Sequence, residues 1–178
     1  MNNTYIITGE AHSGKTTFAY HLANHLVSAD FKVNGFVCPG TFENELRSAF
    51  DIDFLASGEF MPFAKYEEEV RWINFRKFYF NPEALSKGIV LLKNIEDDDR
   101  TAVFVDEIGQ WELENGGWST SLETLLKKKE LIKILIIREK FVDDVIKKFN
   151  LDMPVVFEIQ NVSAEEAFGK IYNDSLAY

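Results

Sequence analysis

The stretch YIITGEAHSGKT, residues 5–16, decides the fold class of this chain. It contains the Walker A or phosphate-loop pattern, G-x-x-x-x-G-K-[ST], at every fixed position. An apolar, β-branched run precedes the pattern, and a helix-like segment from Thr16 to Ser28 follows it. In that context, backbone N–H groups of the turn and of the helix N-terminus converge on an anion. The residues predicted to bind phosphate are consecutive: Gly9, Glu10, Ala11, His12, Ser13, Gly14, Lys15, Thr16 and Thr17.

Two side chains of this loop are predicted to take part directly in binding phosphate and metal. Lys15 places a positive charge beside the β- and γ-phosphates, and the Thr16 hydroxyl is a candidate Mg²⁺ ligand. His12 occupies a position where the backbone does the binding, so we expect its side chain to be an exposed bystander.

The segment TAVFVDE, residues 101–107, has the pattern of a Walker B strand, an apolar run that ends in acids. We expect Asp106 to face Mg²⁺, and we expect Glu107 to activate a water molecule as general base. Strands often run into acidic turns without any such role. The presence of a phosphate loop in the same chain favours the catalytic interpretation.

The rest of the chain alternates short apolar runs with helix-like stretches, which predicts an α/β fold with a mainly parallel sheet between helices. A helix is predicted from Asn81-Pro82-Glu83 to near Asp97, and a capping box at Ser163 opens the last helix. Residues 1–178 are expected to form a single domain. An antiparallel hairpin and an aromatic-rich segment, at about 39–80, interrupt the pattern as an insertion with its own satellite packing. The strands are predicted at 5–7, 33–37, 102–105, 132–137 and 155–159.

Composition excludes several classes of protein. The chain has 178 residues and a formal net charge of −10, which repels nucleic acids and anionic lipid surfaces. No apolar run approaches the roughly 18 residues of a membrane helix. Cys38 is the single cysteine, so an internal disulfide is excluded. We therefore expect a soluble, cytoplasmic protein with no nucleic-acid or membrane partner; protein partners leave no signal in the sequence.

Two arginines are candidates for stabilising charge on a transferring phosphoryl group. Arg138 is the first polar residue after the largely apolar run 131–137, and ligands bind beyond the carboxyl ends of such strands. A surface ion pair with a nearby acid is an equally good interpretation. Arg47 follows the second predicted strand and either reaches the γ-phosphate or anchors the hairpin. Arg71 and Arg76, among aromatic residues, are better explained by packing than by nucleic-acid stacking.

The segment DEIGQWEL, residues 106–113, resembles the D-E-I-G-x-x-E-L signature of the small P-loop nucleoside-triphosphatases, the thermophilic-type and human cancer-related family. The resemblance implies a RecA-like P-loop fold and slow Mg²⁺-dependent hydrolysis of several nucleoside triphosphates. Trp111 departs from the family, where Met is frequent, and this change is expected to reshape the rim of the pocket. Weaker similarities lie at Gly35-Phe36, Glu43, Arg47, Phe50-Asp51-Ile52, Ser57-Gly58-Glu59, Ile137-Arg138 and Asn161.

The sequence thus predicts a P-loop enzyme that hydrolyses nucleoside 5′-triphosphates, including ATP and GTP, to diphosphate and phosphate. The predicted catalytic residues are Lys15, Arg47, Glu107 and Arg138, and the predicted Mg²⁺ ligands are Thr16 and Asp106. One alternative is a small-molecule or nucleotide kinase that holds its acceptor in the 39–80 insertion. Another is a nucleotide-gated adaptor whose slow hydrolysis resets a conformation. Glu107 favours water as the acceptor.

Overall fold

A mainly parallel sheet is built around the strand that leads into the phosphate loop. The structure, a computed structural model, describes residues 3–43 and 46–176, with side chains described except at 42–47. The strands are β1 (Thr4–Gly9), β2 (Lys32–Val37), β3 (Gly40–Glu43), β4 (Leu46–Phe54), β5 (Glu59–Lys65), β6 (Ile73–Phe75), β7 (Phe78–Phe80), β8 (Thr101–Ile108), β9 (Ile132–Arg138) and β10 (Val155–Glu158). The helices are α1 (Lys15–Ser28), α2 (Pro82–Asn94), α3 (Gln110–Leu113), α4 (Ser119–Leu126), α5 (Val142–Lys148) and α6 (Ala164–Ser175), with a 3-10 helix at Glu139–Phe141.

Within the described residues the strands form one sheet in the order β10-β1-β9-β8-β2-β4-β5-β7-β6, with β3 beside β4. The five strands from β10 to β2 are parallel. Each had been predicted from an apolar run, and β1, β8 and β9 are almost completely buried, as strands covered on both faces should be. The predicted α/β class is confirmed.

Helices cover both faces of the sheet and enclose two cores. Helices α1 and α6 pack together over one face, where Leu22, Leu26 and Ile171 are buried. The other face is covered by α2 and α4, with Trp118 and Leu122 at the centre of the second core. This arrangement leaves the carboxyl-terminal edge of the parallel strands free to carry polar groups.

The predicted helix boundaries hold at both capped helices. Asn81 accepts a hydrogen bond from the N–H of Glu83 (3.0 Å) with Pro82 at the first helical position, and α2 ends at Asn94. Ser163 and Glu166 form the predicted capping box of α6. Bounds for α3, α4 and α5 had not been predicted, because the first is a single turn and the others are only eight and seven residues long.

The 39–80 insertion contains the predicted hairpin, β4 and β5, but the prediction of satellite packing is wrong. Strand β4 pairs antiparallel with β2, Phe36 opposite Phe54, so that the insertion extends the main sheet. Phe54 and Phe63 are buried in the same core as Trp118. The physical reason is that a strand edge left open at β2 gains hydrogen bonds and apolar burial by pairing with β4 of the insertion.

Candidate active site

The phosphate loop forms the turn between β1 and α1. Gly14 precedes the helix with a φ of 95°, a left-handed conformation that a side chain disfavours, which accounts for the glycine of the pattern. The first helical hydrogen bond runs from the N–H of Phe18 to the carbonyl of Gly14 (2.9 Å). The helix therefore begins at the loop and directs its N-terminal N–H groups toward it.

Lys15 is buried, and its ammonium lies against the loop. Nζ donates to the carbonyl of Gly9 (3.1 Å) and to the carbonyl of Glu10 (2.6 Å). These two bonds replace the water that the ammonium loses on burial. They also place the positive charge at the centre of the loop.

Asp106 lies near the end of β8 and is buried, with 3% of its surface exposed. Its Oδ2 accepts from the Thr16 hydroxyl (3.4 Å) and from the N–H of Cys38 (2.9 Å), while its own carbonyl accepts from the Cys38 thiol (2.9 Å). Three segments distant in sequence thus meet at one carboxylate. Thr16 and Asp106 offer two hard oxygen donors side by side, the type of ligand that Mg²⁺ prefers.

Burial dominates the electrostatics of this group. It raises the pKa of Asp106 to about 7, with a further increase from the Glu107 charge and a partial decrease from the Cys38 N–H and from Lys15. Burial likewise raises the pKa of the Cys38 thiol well above its ordinary value. Cys38 is therefore a protonated hydrogen-bond donor at neutral pH.

Glu107 and Arg138 form a two-pronged ion pair across neighbouring strands. Nε of Arg138 donates to Oε1 (2.6 Å) and one terminal nitrogen donates to Oε2 (2.9 Å). Both side chains are about one-third exposed, at 26% and 33%. The acid that could form an ion pair with Arg138 is thus the predicted general base itself.

Glu112 was not predicted as a site residue, and it holds together the loop after β8. It is 3% exposed, and its carboxylate accepts from the N–H of Gly109 (2.9 Å) and the N–H of Trp118 (3.1 Å). Burial raises its pKa to about 7 although the two N–H groups lower it. In the sequence, the only indication that Glu112 belongs to the site was its place in the DEIGQWEL signature.

One cavity of about 610 Å³ brings these groups together. The predicted residues that line it are Ala11, His12, Ser13, Gly14, Lys15, Thr16, Thr17, Asp106, Glu107 and Arg138. Gly9 and Glu10 contribute the carbonyls that bind Lys15. Arg47 lies in β4, and its side chain, like that of Glu43, is outside the described part of the structure.

Trp111 lines the cavity, as expected for a residue at the pocket rim, but sequence reasoning did not assign the rings of the insertion to the lining. The insertion contributes Phe50, Phe63, Phe75, Phe78 and Phe80, and the loop after β8 contributes Trp111. The predicted packing role of the aromatic segment is present, since Phe75 stacks on Trp111 with ring centroids 5.2 Å apart. The clustering of aromatic residues at 72–80 was visible in the sequence, but their position beside the phosphate loop depends on the pairing of β4 with β2.

Comparison with known proteins connects this arrangement to a family. A sequence model of the NTPase family matches residues 4–172. Nucleoside-triphosphatase THEP1 of Saccharolobus solfataricus is 34% identical over 131 residues, which cover 72% of this chain and 73% of that protein.

Two solved structures share the fold. A human cancer-related nucleoside triphosphatase superimposes with a TM-score of 0.70 at 20% identity, covering 98% of this chain and 96% of the other. THEP1 from Aquifex aeolicus superimposes with a TM-score of 0.72 at 21% identity, covering 94% and 98%. The family match extends over nearly the whole chain, and the family resemblance of the acidic signature is confirmed: the protein belongs to the NTPase family.

Proposed function

We propose that this protein hydrolyses nucleoside 5′-triphosphates, with Mg²⁺, to diphosphate and phosphate. The observation that carries the proposal is the single cavity in which the phosphate loop, Asp106 and the Glu107–Arg138 pair line a common space. Membership of the NTPase family and the printed activity of the THEP1 relative support it. Phosphoryl transfer requires mainly positioning and charge stabilisation, and these groups supply both.

The residues present fit a magnesium ion bound together with phosphate. Mg²⁺ in such sites takes one or two protein oxygens and completes its shell with phosphates and water. Thr16 and Asp106 supply two such oxygens, whereas the described residues contain no group of three acids, histidines or cysteines for a metal site made of protein alone. When bound, the ion neutralises charge on the phosphates.

Glu107 is the proposed general base, and Arg138 the proposed charge-stabilising group. Glu107 takes a proton from the attacking water as the oxygen of that water bonds to the γ-phosphorus. The bond from the γ-phosphorus to the β–γ bridging oxygen breaks in the same reaction, and the nucleoside diphosphate leaves with that oxygen. Arg138 holds Glu107 in place through two hydrogen bonds. These two bonds use two of the five guanidinium N–H donors, and the remaining three are available to γ-phosphoryl oxygens. Arg47 is retained as a further candidate for the γ-phosphate.

The experiment is phosphate release from ATP, GTP, CTP and UTP, with the products separated by chromatography. We expect diphosphate and phosphate in equal amounts, loss of activity when Mg²⁺ is chelated, and rates for ATP and GTP within about tenfold of each other. Absence of phosphate release from all four nucleotides would contradict the proposal. A hundredfold preference for one base would contradict only the broad specificity.

A second candidate function is favoured by one observation, the aromatic lining contributed by the insertion. If the base of the triphosphate binds elsewhere, hydrolysis alone gives these five aromatic rings no ligand. In this alternative the enzyme is a kinase, and the γ-phosphoryl group passes to an acceptor held beside that wall. Chromatography distinguishes the two, because transfer produces a phosphorylated acceptor in place of free phosphate.

A further inference from the structure

Part of the cavity, which we call the aromatic arm, is walled by Phe50, Phe75, Phe78, Phe80 and Trp111. The rings support one another. Trp111 contacts Phe80 at 4.4 Å and Phe75 at 5.2 Å between centroids, and Phe78 meets Phe50 edge-on at 5.5 Å. Flat apolar walls of this kind suit a planar ring, because aromatic pairs gain beyond simple burial.

Trp111 lies in α3, and hydrogen bonds within the segment 109–118 hold it in position. Glu112 accepts hydrogen bonds from the N–H groups of Gly109 and Trp118, which fix both ends of that segment. A methyl group at Gly116 would lie 2.1 Å from Nε1 of Trp111, so the segment closes tightly against the indole. The wall is therefore built before any ligand arrives, which lowers the entropic cost of binding.

Cations lie along the same cavity although the protein as a whole is strongly acidic. Lys77 and Lys140 line it, and in the described residues neither ammonium lies within 4 Å of a carboxylate. The ammonium of Lys77 lies over the rings of Tyr66 and Phe78, at 5.2 and 5.4 Å from their centroids. Arg76 also lines the cavity and pairs with Glu114. An aromatic ligand with an anionic group would satisfy both features.

The order of the strands separates this arm from the expected position of the nucleotide base. Strand β1 and its loop have β10 on one side, while β9, β8, β2, β4, β5 and β7 follow on the other. The γ-phosphate is taken to lie at Glu107 and Arg138, on β8 and β9. A triphosphate that runs back from there across the loop carries its base toward β10, away from the aromatic arm.

We propose that the aromatic arm binds a second molecule beside the γ-phosphate, a planar aromatic ring that carries an anionic group, of the chemical class of nucleoside 5′-monophosphates. The inference rests on the proposed function, because that function sets the direction of the triphosphate. It adds a ligand site that hydrolysis alone does not need.

The test is calorimetric titration of AMP, GMP, CMP and UMP into protein saturated with Mg²⁺ and ADP. We expect at least one monophosphate to bind while ADP stays bound. Its parent nucleoside and ribose 5-phosphate, which lack the anion and the ring respectively, should each bind at least about tenfold more weakly, a difference of about 1.4 kcal/mol.

Two variants assign the binding to the arm. Trp111→Leu should weaken the monophosphate at least about tenfold while ADP affinity changes less than about threefold, and Lys77→Gln should weaken the monophosphate more than the parent nucleoside. Trp72→Leu is the matched control, since Trp72 packs under the ammonium of Lys65 and does not line the cavity. It should leave both affinities unchanged.

Three results would overturn the proposal. They are no binding of any of the four monophosphates to the ADP-saturated protein, displacement of ADP by the monophosphate, and a Trp111→Leu variant that loses ADP affinity as strongly. Displacement would place the monophosphate in the ADP site itself, and the loss of ADP affinity would assign the arm to the base of the triphosphate. Phosphate release without added monophosphate is measured in parallel, so failure of the proposed hydrolysis is recognised separately.

Discussion

The catalytic edge and the insertion of this protein are built by different means. We give the name catalytic edge to the proposed catalytic and metal-binding groups, namely the phosphate loop, Asp106, Glu107 and Arg138. They lie at the ends of the parallel strands β1, β8 and β9 and are joined by hydrogen bonds and one ion pair. The insertion, residues 39–80, consists of antiparallel strands whose inner face presents aromatic rings to the same cavity. The catalytic edge supplies charged and hydrogen-bonding groups, and the insertion supplies an apolar wall of the cavity.

The difference shows which region tolerates change. Polar groups at the catalytic edge are positioned by bonds with narrow distance and angle requirements, so small substitutions there should affect chemistry strongly. Aromatic contacts are less directional and are spread over many atoms. Substitutions in the insertion should therefore affect binding and stability in small steps.

The largest effect is expected for Lys15→Ala. This change removes the buried ammonium that lies in the centre of the phosphate loop, and measurable triphosphate binding or turnover should be lost. Phosphate release and fluorescent-nucleotide titration measure the two effects. If nucleotide binding and phosphate release are unchanged in the variant, the phosphate loop is not part of the nucleotide site.

Glu107→Gln should separate binding from turnover. The amide keeps the size of the side chain and one bond to Arg138 but cannot accept a proton, so hydrolysis should fall by at least about a hundredfold. Affinity for the Mg²⁺-nucleotide should stay within a few-fold. Single-turnover phosphate release beside nucleotide titration makes the comparison. Hydrolysis within about threefold of the parent, roughly 0.65 kcal/mol of barrier, would exclude Glu107 as the base. Continued transfer to an added acceptor would favour the kinase alternative.

Arg138→Ala should lower kcat with little change in KM, because a contact made mainly in the transition state affects only the rate of the chemical step. The loss extends to about a thousandfold, the lower end of the range for arginine fingers. Arg138→Lys is the matched control: it keeps the charge but loses the two-pronged geometry, and it should recover only part of the rate. An unchanged kcat in Arg138→Ala would limit Arg138 to its ion pair with Glu107.

The smallest effect on catalysis is expected for loss of a hydrogen bond that joins the two regions. The Tyr20 hydroxyl, on α1, donates to Oδ2 of Asp53 on β4 (2.8 Å), and this bond connects the helix after the phosphate loop to the insertion. Tyr20→Phe should lower the free energy of unfolding by about 1.5–3 kcal/mol, as for a hydrogen bond to a charged group.

Urea unfolding of Tyr20→Phe, Asp53→Ala and the double variant measures the coupling between the two side chains. We expect kcat to change less than about threefold in Tyr20→Phe. A larger loss of kcat would show that the insertion takes part in the chemistry, which would reduce the contrast between the regions.

Much of the parallel sheet and the phosphate loop could be predicted from the sequence. Strands buried on both faces are continuous apolar runs, and β8 and β9 were recognised for that reason. The same pattern also predicted burial of both faces for β10, which is wrong, because β10 lies at the edge of the sheet and is only partly buried. Ser163 and Asn81 identified helix starts because capping is a matter of a few consecutive residues. The short helices and the pairing of the insertion with β2 could not be predicted, since both depend on contacts between segments distant in the chain.

By itself the sequence determined the phosphate loop, the acids Asp106 and Glu107 and the chemistry they indicate, because those residues are neighbours in the chain and their spacing alone sets their local geometry. Only the tertiary structure decided that Arg138 pairs with Glu107, 31 positions away, and that the rings of the insertion share a cavity with Lys15. Such contacts follow from strand order and register. The pattern of apolar residues predicts which face of a strand is buried, but it does not predict which other strand pairs with that strand.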